Sequence, residues 1–169
     1  MDQFFGRGLS IGTCDTDHRY IELAAMGATL PDGTVLDGEI VVWREARVQP
    51  FAELQKRIGR KTIGPKLLRE LPVVLLAYDL LEWQGRDLRG EPQAARRALL
   101  DVLLAEQAHP ALIVSPALVG ASWADLALQR EAARAMGVEG MMLKGRTAQY
   151  GVGRTKDVGT WWKWKIAPL

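Results

Sequence analysis

Short blocks of apolar residues, each with its own periodicity, alternate with turn residues along the chain. Residues 21–30 (IELAAMGATL) have the pattern of a short helix, which the turn Pro31-Asp32-Gly33 ends. Residues 34–43 (TVLDGEIVVW) are rich in β-branched and aromatic residues and predict a strand. The apolar run in residues 72–83 (PVVLLAYDLLEW) predicts a strand that is buried on both faces.

Helical spacing and further short apolar runs fill the rest of the chain. Phe51, Leu54 and Ile58 fall on one face of a helix predicted over 50–58, with Pro50 in its first turn. Further helices are predicted over 65–71, 92–107 and 123–136, the last with Ser122 as its N-cap and Gly137 at its end. Further strands are predicted within 111–118 and over 138–144 and 160–166. This irregular mixture predicts an α+β domain with a largely antiparallel sheet.

Length and composition narrow the class of protein. The chain has 169 residues, of which 48% are apolar, enough for one domain with a real core. There is no interior linker, so we interpret it as one domain or part of one. No apolar run approaches the ~20 residues of a membrane span, and the start lacks the pattern of a secretory signal. The single cysteine, Cys14, cannot form an internal disulfide. We therefore expect a cytoplasmic protein without a membrane partner.

The positive charge gathers near the C-terminal end of the sequence. Residues 138–169 hold six Lys/Arg against two Asp/Glu, a net charge of +4, so residues 1–137 carry −2. A cationic segment suits a polyanion or the phosphates of a nucleotide. A solvated basic surface is the alternative.

The run WWKWK predicts the direction in which two of these cations point. Residues two apart on a strand share a face, so Lys163 and Lys165 point the same way, about 7 Å apart. Trp162 and Trp164 point to the opposite face. The pattern predicts a strand with an apolar face on the core and a cationic face towards a cleft that suits a phosphate chain. An edge strand with protective lysines is the other interpretation.

The predicted strand VEGMMLK also has two different faces. A regular strand places Gly140, Met142 and Lys144 on one face, where the missing side chain of Gly140 would let a ligand approach the backbone. Glu139 lies at the start of the strand and is placed to turn towards a cation. Core methionines beside a surface glutamate are the alternative.

Polar residues also interrupt the two longest predicted strands. Asp37 and Glu39 share a face of the first strand, where acids need an ionic partner or a metal ion unless Asp37-Gly38 is a plain bend with both acids in solvent. Tyr78 and Asp79 interrupt the second strand. The ring of Tyr78 either stacks on a ligand or is an ordinary core tyrosine.

The order of these motifs resembles the adenylation domain of ATP-dependent DNA ligases, within the covalent nucleotidyltransferase superfamily, and most of all the bacterial ligases of DNA repair and recombination. The resemblance covers residues 20–169, as a partial adenylation domain, and leaves 1–19 unassigned. The segments that carry it are ELAAM, LPDGTVLDGEIVVW, FAELQKRIGRK, AYDLLEWQGRDLRGEPQAARRALL, GVEGMMLK and YGVGR with WWKWKIAP.

The resemblance implies ATP as the cofactor and assigns three residues to its nucleoside. Glu39 in LDGE would hold the ribose or support the metal. Tyr78 in AYDLL would stack on adenine, and Met142 in EGMMLK would press on the other side of the base.

The resemblance also implies Mg²⁺ and assigns four residues to the charged part of ATP. Glu139 would organise the metal ion, and Lys144 would reach towards phosphate. Lys163 and Lys165 would neutralise the triphosphate and the charge that develops on the α-phosphate. Positioning and charge neutralisation are what phosphoryl transfer needs most.

One family motif has no counterpart in the sequence. The nucleophilic lysine of the family lies in Lys-x-Asp-Gly, whereas Leu30 and Val35 occupy that position before the two Asp-Gly pairs. The family also places an oligonucleotide-binding barrel after the WWKWK motif. We therefore interpret the sequence as a fragment without nucleophile or barrel, inactive alone in self-adenylation, whose partners are nicked duplex DNA, contacted mainly at phosphates, and a second chain.

Two other classes of function remain open from the sequence. One is a non-catalytic ATP- or DNA-binding module that kept the pocket. The other is a relative in the same superfamily, an RNA ligase or a capping guanylyltransferase.

Overall fold

A computed structural model gives the fold, and it describes residues 20–58, 60, 62–136, 138, 140–151 and 161–166. The predictions for residues 1–19, for Gly137 and for Glu139 lie outside these described residues. The helices are α1 (Ile21–Gly27), α2 (Phe51–Ile58), α3 (Pro65–Glu70), α4 (Gln93–Gln107) and α5 (Trp123–Ala132), which a 3₁₀ turn (Ala133–Met136) extends. The strands are β1 (Val35–Arg44), β2 (Arg47–Val48), β3 (Val73–Trp83), β4 (Arg86–Asp87), β5 (Leu112–Val114), β6 (Gly140–Lys144) and β7 (Trp161–Lys165).

The described strands form two sheets. The larger has the order β2-β1-β3-β4, with antiparallel pairs throughout, and β5 adds to β3 as a parallel neighbour. The smaller consists of β6 and β7, which are antiparallel. This confirms the α+β class and the largely antiparallel sheet. No helix in the described part of the chain combines the length and the apolar character that crossing a bilayer needs.

The core lies on the face of the larger sheet that α1 and α4 cover. Its fully buried side chains come from both helices and from β1 and β3: Leu23, Met26, Val42, Val73, Leu80, Leu100 and Leu103. Burying a large aliphatic side chain contributes about 1.5–3 kcal/mol, so this packing holds β3 rigidly at the centre of the sheet. Along β1, Asp37 and Glu39 alternate with these core positions and lie on the opposite face of the strand.

Helix α2 confirms the helix predicted over 50–58. Of the three apolar residues on its one face, Leu54 is buried, whereas Phe51 is 45% exposed and Ile58 is 37% exposed. The other buried residue of the helix is Arg57, which donates hydrogen bonds to both carboxylate oxygens of Glu22 on α1 at 2.7 and 3.0 Å and to the Leu71 carbonyl at 2.7 Å. A buried ion pair therefore takes part in holding α2 on the fold.

Candidate nucleotide site

The site begins at an irregularity in β3. Asp37 of β1 pairs with Asp79, but the next residue, Gly38, pairs with Ala77, so Tyr78 has no partner of its own. Such a bulge breaks the alternation of side chains along a strand and re-aims them. Tyr78 and Asp79, although adjacent in sequence, therefore both contact the same lysine, Lys144 of β6.

Asp79 forms a buried ion pair with Arg96 of α4. The guanidinium donates to the two carboxylate oxygens at 2.8 and 2.9 Å, and both side chains are fully buried. Arg96 also donates to the Glu91 carbonyl at 2.6 Å and to the Ala148 carbonyl at 3.3 Å. This arrangement ties the bulge of β3 to α4 and to the loop that follows β6.

Asp37 has a partner as well. The hydroxyl of Tyr150 donates to its carboxylate at 2.8 Å, and Asp37 is only 7% exposed. Burial, together with the negative charge of Asp37, raises the pKa of the Tyr150 hydroxyl. Burial and the same carboxylate raise the pKa of the Tyr78 hydroxyl. Asp37 therefore lies in a strand with a satisfied carboxylate, and the alternative of a solvated bend at Asp37-Gly38 is wrong.

Lys144 is the cation at the centre of the cluster. Its Nζ lies 4.5 Å from the ring centroid of Tyr78 and 3.8 Å from that of Trp161. It donates to the Tyr78 carbonyl at 3.3 Å and approaches the Asp79 carboxylate at 3.5 Å. Burial lowers the pKa of Lys144, while the charges of Asp79 and Asp37 act in the opposite direction.

Trp161 connects β7 to the larger sheet. Its ring meets Tyr78 edge to face at 6.1 Å and Tyr150 at 5.5 Å between centroids. The indole N–H is buried and has no acceptor among the described residues. A buried donor without a partner is costly, so this N–H is a candidate contact for a bound molecule.

The two faces of the β6–β7 sheet follow from its register. The directly opposed pairs are Lys144 with Trp161, Met142 with Lys163, and Gly140 with Lys165. Opposed residues share a face, so Lys163 and Lys165 lie on the side of Lys144 and Trp161. This confirms the predicted division of faces in the described parts of both strands.

The opposite face of the small sheet packs on α5. The ring of Trp164 meets Trp123 at 5.9 Å, and the Arg130 guanidinium lies 4.6 Å above it. Met141 is buried on the same face. Trp164 therefore docks as predicted, whereas Trp162 on the same face of β7 is 50% exposed. The lysines are left on the side of the cluster.

The structure explains the glycine at position 140 differently from the sequence analysis, which expected it to let a ligand approach the backbone. Its φ is +146°, and a Cβ at this position would lie 2.3 Å from the Trp164 carbonyl oxygen. Strand β7 thus fills the space beside Gly140. The glycine allows the two strands to approach, and the structure gives no ligand a place there.

The remaining predicted residues differ in their exposure. Glu39 follows Asp37 on the same face of β1, is exposed, and has no hydrogen-bond or ion-pair partner in the described part of the chain. Met142 is 47% exposed on the face of Lys144. The structure thus brings Tyr78 and Lys144 into contact and leaves Glu39, Met142, Lys163 and Lys165 open to solvent on the surrounding strands.

One carboxylate near the cluster is available to a magnesium ion. Asp37 and Asp79 are engaged by Tyr150, Arg96 and Lys144, whereas Glu39 keeps a free carboxylate, the kind of hard oxygen ligand that Mg²⁺ prefers. The described residues contain no group of three or more His, Cys, Asp or Glu that could hold a metal ion. As a single carboxylate, Glu39 would need phosphate or water oxygens to complete the coordination of a magnesium ion.

Sequence reasoning gave no role to the residues that position the site, namely Asp79, Arg96, Tyr150 and Trp161. One signal was present for Arg96, which occupies the apolar face of α4 at helical spacing from Leu100 and Leu103. An arginine on such a face indicates a buried carboxylate partner. Tyr150 and Trp161 contact Asp37 and Tyr78, which lie far from them in sequence, so these contacts depend on the tertiary fold.

The comparisons with known proteins agree with this architecture. Residues 9–165 match the family model of the ATP dependent DNA ligase domain. A probable DNA ligase of Opitutus terrae is 35% identical over 179 aligned residues, covering 90% of this chain and 17% of that protein.

Two solved structures have the same fold. The ligase domain of Mycobacterium tuberculosis LigD is 34% identical with a TM-score of 0.67, over 90% of this chain and 45% of that one. A mycobacterial DNA ligase D complexed with ATP and MES is 34% identical with a TM-score of 0.65, over 89% of this chain and 44% of that one. The chain spans less than half of either structure. From the match over residues 9–165 and the shared fold, the chain belongs to the ATP-dependent DNA ligase family and has the fold of its adenylation domain.

Proposed function

We propose that this chain forms the nucleotide-binding part of a ligase that seals nicks in duplex DNA through an enzyme–AMP intermediate. The observation that carries the proposal is the contact of Lys144 with the rings of Tyr78 and Trp161. Trp161 is the first residue of β7, and Lys163 and Lys165 follow it on the same face of that strand. Aromatic surface for a base and cations for phosphates thus lie side by side. The resemblance to a ligase complexed with ATP supports ATP as the nucleotide.

Tyr78 is the proposed platform for adenine. Its ring is held on one side by Lys144 and at its edge by Trp161, so it is fixed before any ligand arrives. A base stacks on the remaining ring surface, with Met142 as the apolar contact on its other side. Glu39 is proposed to hold the ribose or a metal ion. The unpaired indole N–H of Trp161 would gain an acceptor from the nucleotide.

Lys163 and Lys165 are proposed to bind the triphosphate. Both are exposed and share one face of β7, and their ammonium groups would stabilise the charge that develops as pyrophosphate leaves the α-phosphate. Lys144 would add a further positive charge near the phosphates, and the Asp79 carboxylate, 3.5 Å from its Nζ, holds it in place. Glu39 and Glu139 would hold a magnesium ion, which would supply positive charge to neutralise the phosphates.

The substrate proposal follows from the family. The DNA partner is a nicked duplex in repair or recombination, contacted mainly through phosphates, and the compartment is the cytoplasm. The 169 residues contain no Lys-x-Asp-Gly motif, and in this proposal the attacking lysine and the barrel of the family are supplied from outside these residues, for example by a second chain.

Labelled nucleotides test this proposal. We expect saturable binding of ATP, weaker binding of GTP, and no acid-labile lysine–AMP adduct on the 169-residue chain. Adding a separate chain that carries Lys-x-Asp-Gly should restore transfer of AMP. A preference for GTP would favour a capping enzyme, and ATP binding that no added chain converts into an adduct would favour a non-catalytic module. Absence of any saturable nucleotide binding would contradict the proposal.

A further inference from the structure

The proposed adenine platform and the proposed phosphate ligands belong to different sheets. Tyr78 lies on β3 of the larger sheet, whereas Lys163 and Lys165, called here the β7 lysines, lie on the small one. In the described part of the chain, no strand of the small sheet pairs with a strand of the larger sheet. The distance between the platform and the β7 lysines therefore depends on the side chains and the connection that hold one sheet against the other.

Tyr150 lies in the connection between β6 and β7, and hydrogen bonds hold its backbone in place. Its N–H donates to the Arg89 carbonyl at 2.9 Å. Shortly before it, the carbonyls of Arg146 and Ala148 accept hydrogen bonds from the N–H groups of the first two residues of α4, at 2.9 and 2.8 Å. Because α4 packs on the core side of the larger sheet, Tyr150 is fixed relative to that sheet.

The side chain of Tyr150 extends from this anchored backbone to β1. Its hydroxyl donates to the Asp37 carboxylate at 2.8 Å, and the Arg96 guanidinium lies 5.7 Å from the centroid of its ring. Asp37 is buried, and a hydrogen bond to an ionised group is roughly twice as strong as one between neutral groups. The Tyr150 ring is thus held at its backbone, at its hydroxyl and against a cation.

The ring of Tyr150 is a surface against which β7 begins. Trp161, the first residue of β7, meets it edge to face at 5.5 Å between centroids. The β7 lysines follow Trp161 on the same face of the strand, about 7 and 13 Å further along it. A displacement of Trp161 away from the larger sheet would therefore move both lysines away from Tyr78.

We propose that Tyr150 is a positioning residue for the phosphate-binding half of the nucleotide site. The hydrogen bond to Asp37 holds the Tyr150 ring, and the ring fixes Trp161. Through Trp161, Tyr150 sets the distance of the β7 lysines from the adenine platform. The inference rests on the proposed function, since it requires a base on the platform and phosphates at β7. Tyr150 itself contacts neither part of the nucleotide.

This role predicts a selective effect on the phosphates of the ligand. Adenosine uses the platform, whereas ATP uses the platform and the β7 lysines. Loss of the Tyr150 hydroxyl should weaken the binding of ATP about ten-fold, as when one contact to a charged group is lost. The affinity for adenosine should change by less than about two-fold. A purely structural role would lower both affinities by the same factor, because it would reduce the fraction of folded chain.

Isothermal titration calorimetry with adenosine, AMP and ATP tests the proposal on the unaltered chain and on Tyr150→Phe. Tyr20→Phe is the matched control, since it removes the same hydroxyl from a ring that lies beside Arg57, at the start of α1. Thermal unfolding measures whether each variant is folded. If the stranded Asp37 carboxylate unfolds Tyr150→Phe, the double variant Tyr150→Phe/Asp37→Asn removes the hydrogen bond without leaving a buried charge.

We expect the ratio of the adenosine Kd to the ATP Kd to fall about ten-fold in Tyr150→Phe and to stay constant in Tyr20→Phe. AMP, with one phosphate, should be weakened by a factor between those for adenosine and ATP. Equal losses of affinity for adenosine and ATP would overturn the proposal, and so would an unchanged ratio.

A double-mutant cycle with Trp161→Leu tests the route through the indole. When Trp161 is already replaced, Tyr150→Phe should change the ratio of the two Kd values by less than about two-fold. A ten-fold effect that persists in the Trp161→Leu background would overturn the proposal, because Tyr150 would then act by a route that does not include Trp161.

The unaltered chain separates this inference from the proposed function. If it binds ATP more tightly than adenosine, but the ratio does not respond to Tyr150→Phe, the assignment of Tyr150 alone fails. If it binds adenosine and ATP with the same affinity, the β7 lysines hold no phosphate, and the proposed function fails together with the role of Tyr150.

Discussion

At the residue scale, the site depends on charges that the fold has removed from water. Asp79 and Arg96 are fully buried, and Lys144 adds a second cation to the same carboxylate. A buried ion pair adds little net stability compared with apolar packing, but losing one partner strands the other charge. The role of Asp79 is therefore to fix Arg96 and Lys144, and through them the ring of Tyr78.

Replacing Asp79 tests this role. Asp79→Asn should lower the free energy of unfolding by about 3–5 kcal/mol, because it leaves Arg96 buried without a counter-charge. Asp101→Asn is the matched control. Asp101 forms an ion pair with Arg97 on the surface, and losing this pair should lower the free energy of unfolding by less than about 1 kcal/mol. Urea denaturation measures both values. Equal losses in the two variants would show that Asp79 does not hold the cluster.

The aromatic platform gives a prediction about affinity. Tyr78→Ala should weaken ATP binding by about 1–3 kcal/mol, the usual contribution of an aromatic ring stacked on a base. Tyr78→Phe keeps the ring and should bind nearly as well as the unaltered chain. Isothermal titration calorimetry of the two variants measures the difference. The stacking role is wrong if Tyr78→Phe loses as much affinity as Tyr78→Ala.

At the scale of elements, Arg57 and Glu22 join α1, α2 and the end of α3. Burial alone would raise the pKa of Glu22, but the hydrogen bonds and charge of Arg57 outweigh it and lower that pKa below its usual value of 4.5. A lowered pKa in the folded state means that this contact stabilises the fold above pH 4.5 and that the stabilisation disappears as the pH falls through the lowered pKa.

The pH dependence of Glu22→Gln checks this contact. At neutral pH the variant should lose on the order of 2 kcal/mol of stability, as expected for a hydrogen bond to a charged group. The difference from the unaltered chain should shrink as the pH falls below 4.5. Chemical denaturation at several pH values measures it. A difference that stays constant down to strongly acidic pH would refute the linkage.

The pairing of β6 with β7 depends on one glycine. Gly140→Ala should separate the two strands, because the added Cβ meets the Trp164 carbonyl at 2.3 Å and the φ of +146° alone costs about 1–3 kcal/mol for an alanine. Gly90→Ala is the control, since nothing lies within 4 Å of its Cβ position. Near-ultraviolet circular dichroism of the tryptophans should change in the first variant and stay constant in the second. A well-folded Gly140→Ala variant with an unaltered spectrum would contradict this explanation.

Most elements of the fold were predictable from the sequence, because their apolar spacing is local. The strand over 72–83 and the helix over 92–107 match β3 and α4 within a residue or two. The bulge at Tyr78 was not predictable, since a register shift depends on the partner strand. The faces of WWKWK were predicted correctly because alternation along a strand is local. The contacts of Lys144 with Asp79 and Trp161, like the bulge, required the tertiary structure.

At the scale of the molecule, cationic side chains lie in two regions. One is the face of the β6–β7 sheet that carries Lys144, Lys163 and Lys165. The other surrounds helix α2 and the end of β1, where Arg44 and Arg60 have no carboxylate partner among the described residues. Because Asp37 and Arg44 are seven residues apart on β1, their side chains lie on opposite faces of the strand, so the two regions lie on different sides of the larger sheet.

We propose above all that ATP binds on the free surface of the Tyr78 ring, beside the β6–β7 sheet. Photo-crosslinking with an azido-adenine analogue of ATP, followed by mass spectrometry of the labelled peptides, tests it most directly. We predict label on the peptides that contain Tyr78 or residues 140–151, and loss of that label when excess ATP competes. Label that falls on the α2–α3 peptides, or label that excess ATP does not reduce, would contradict the claim.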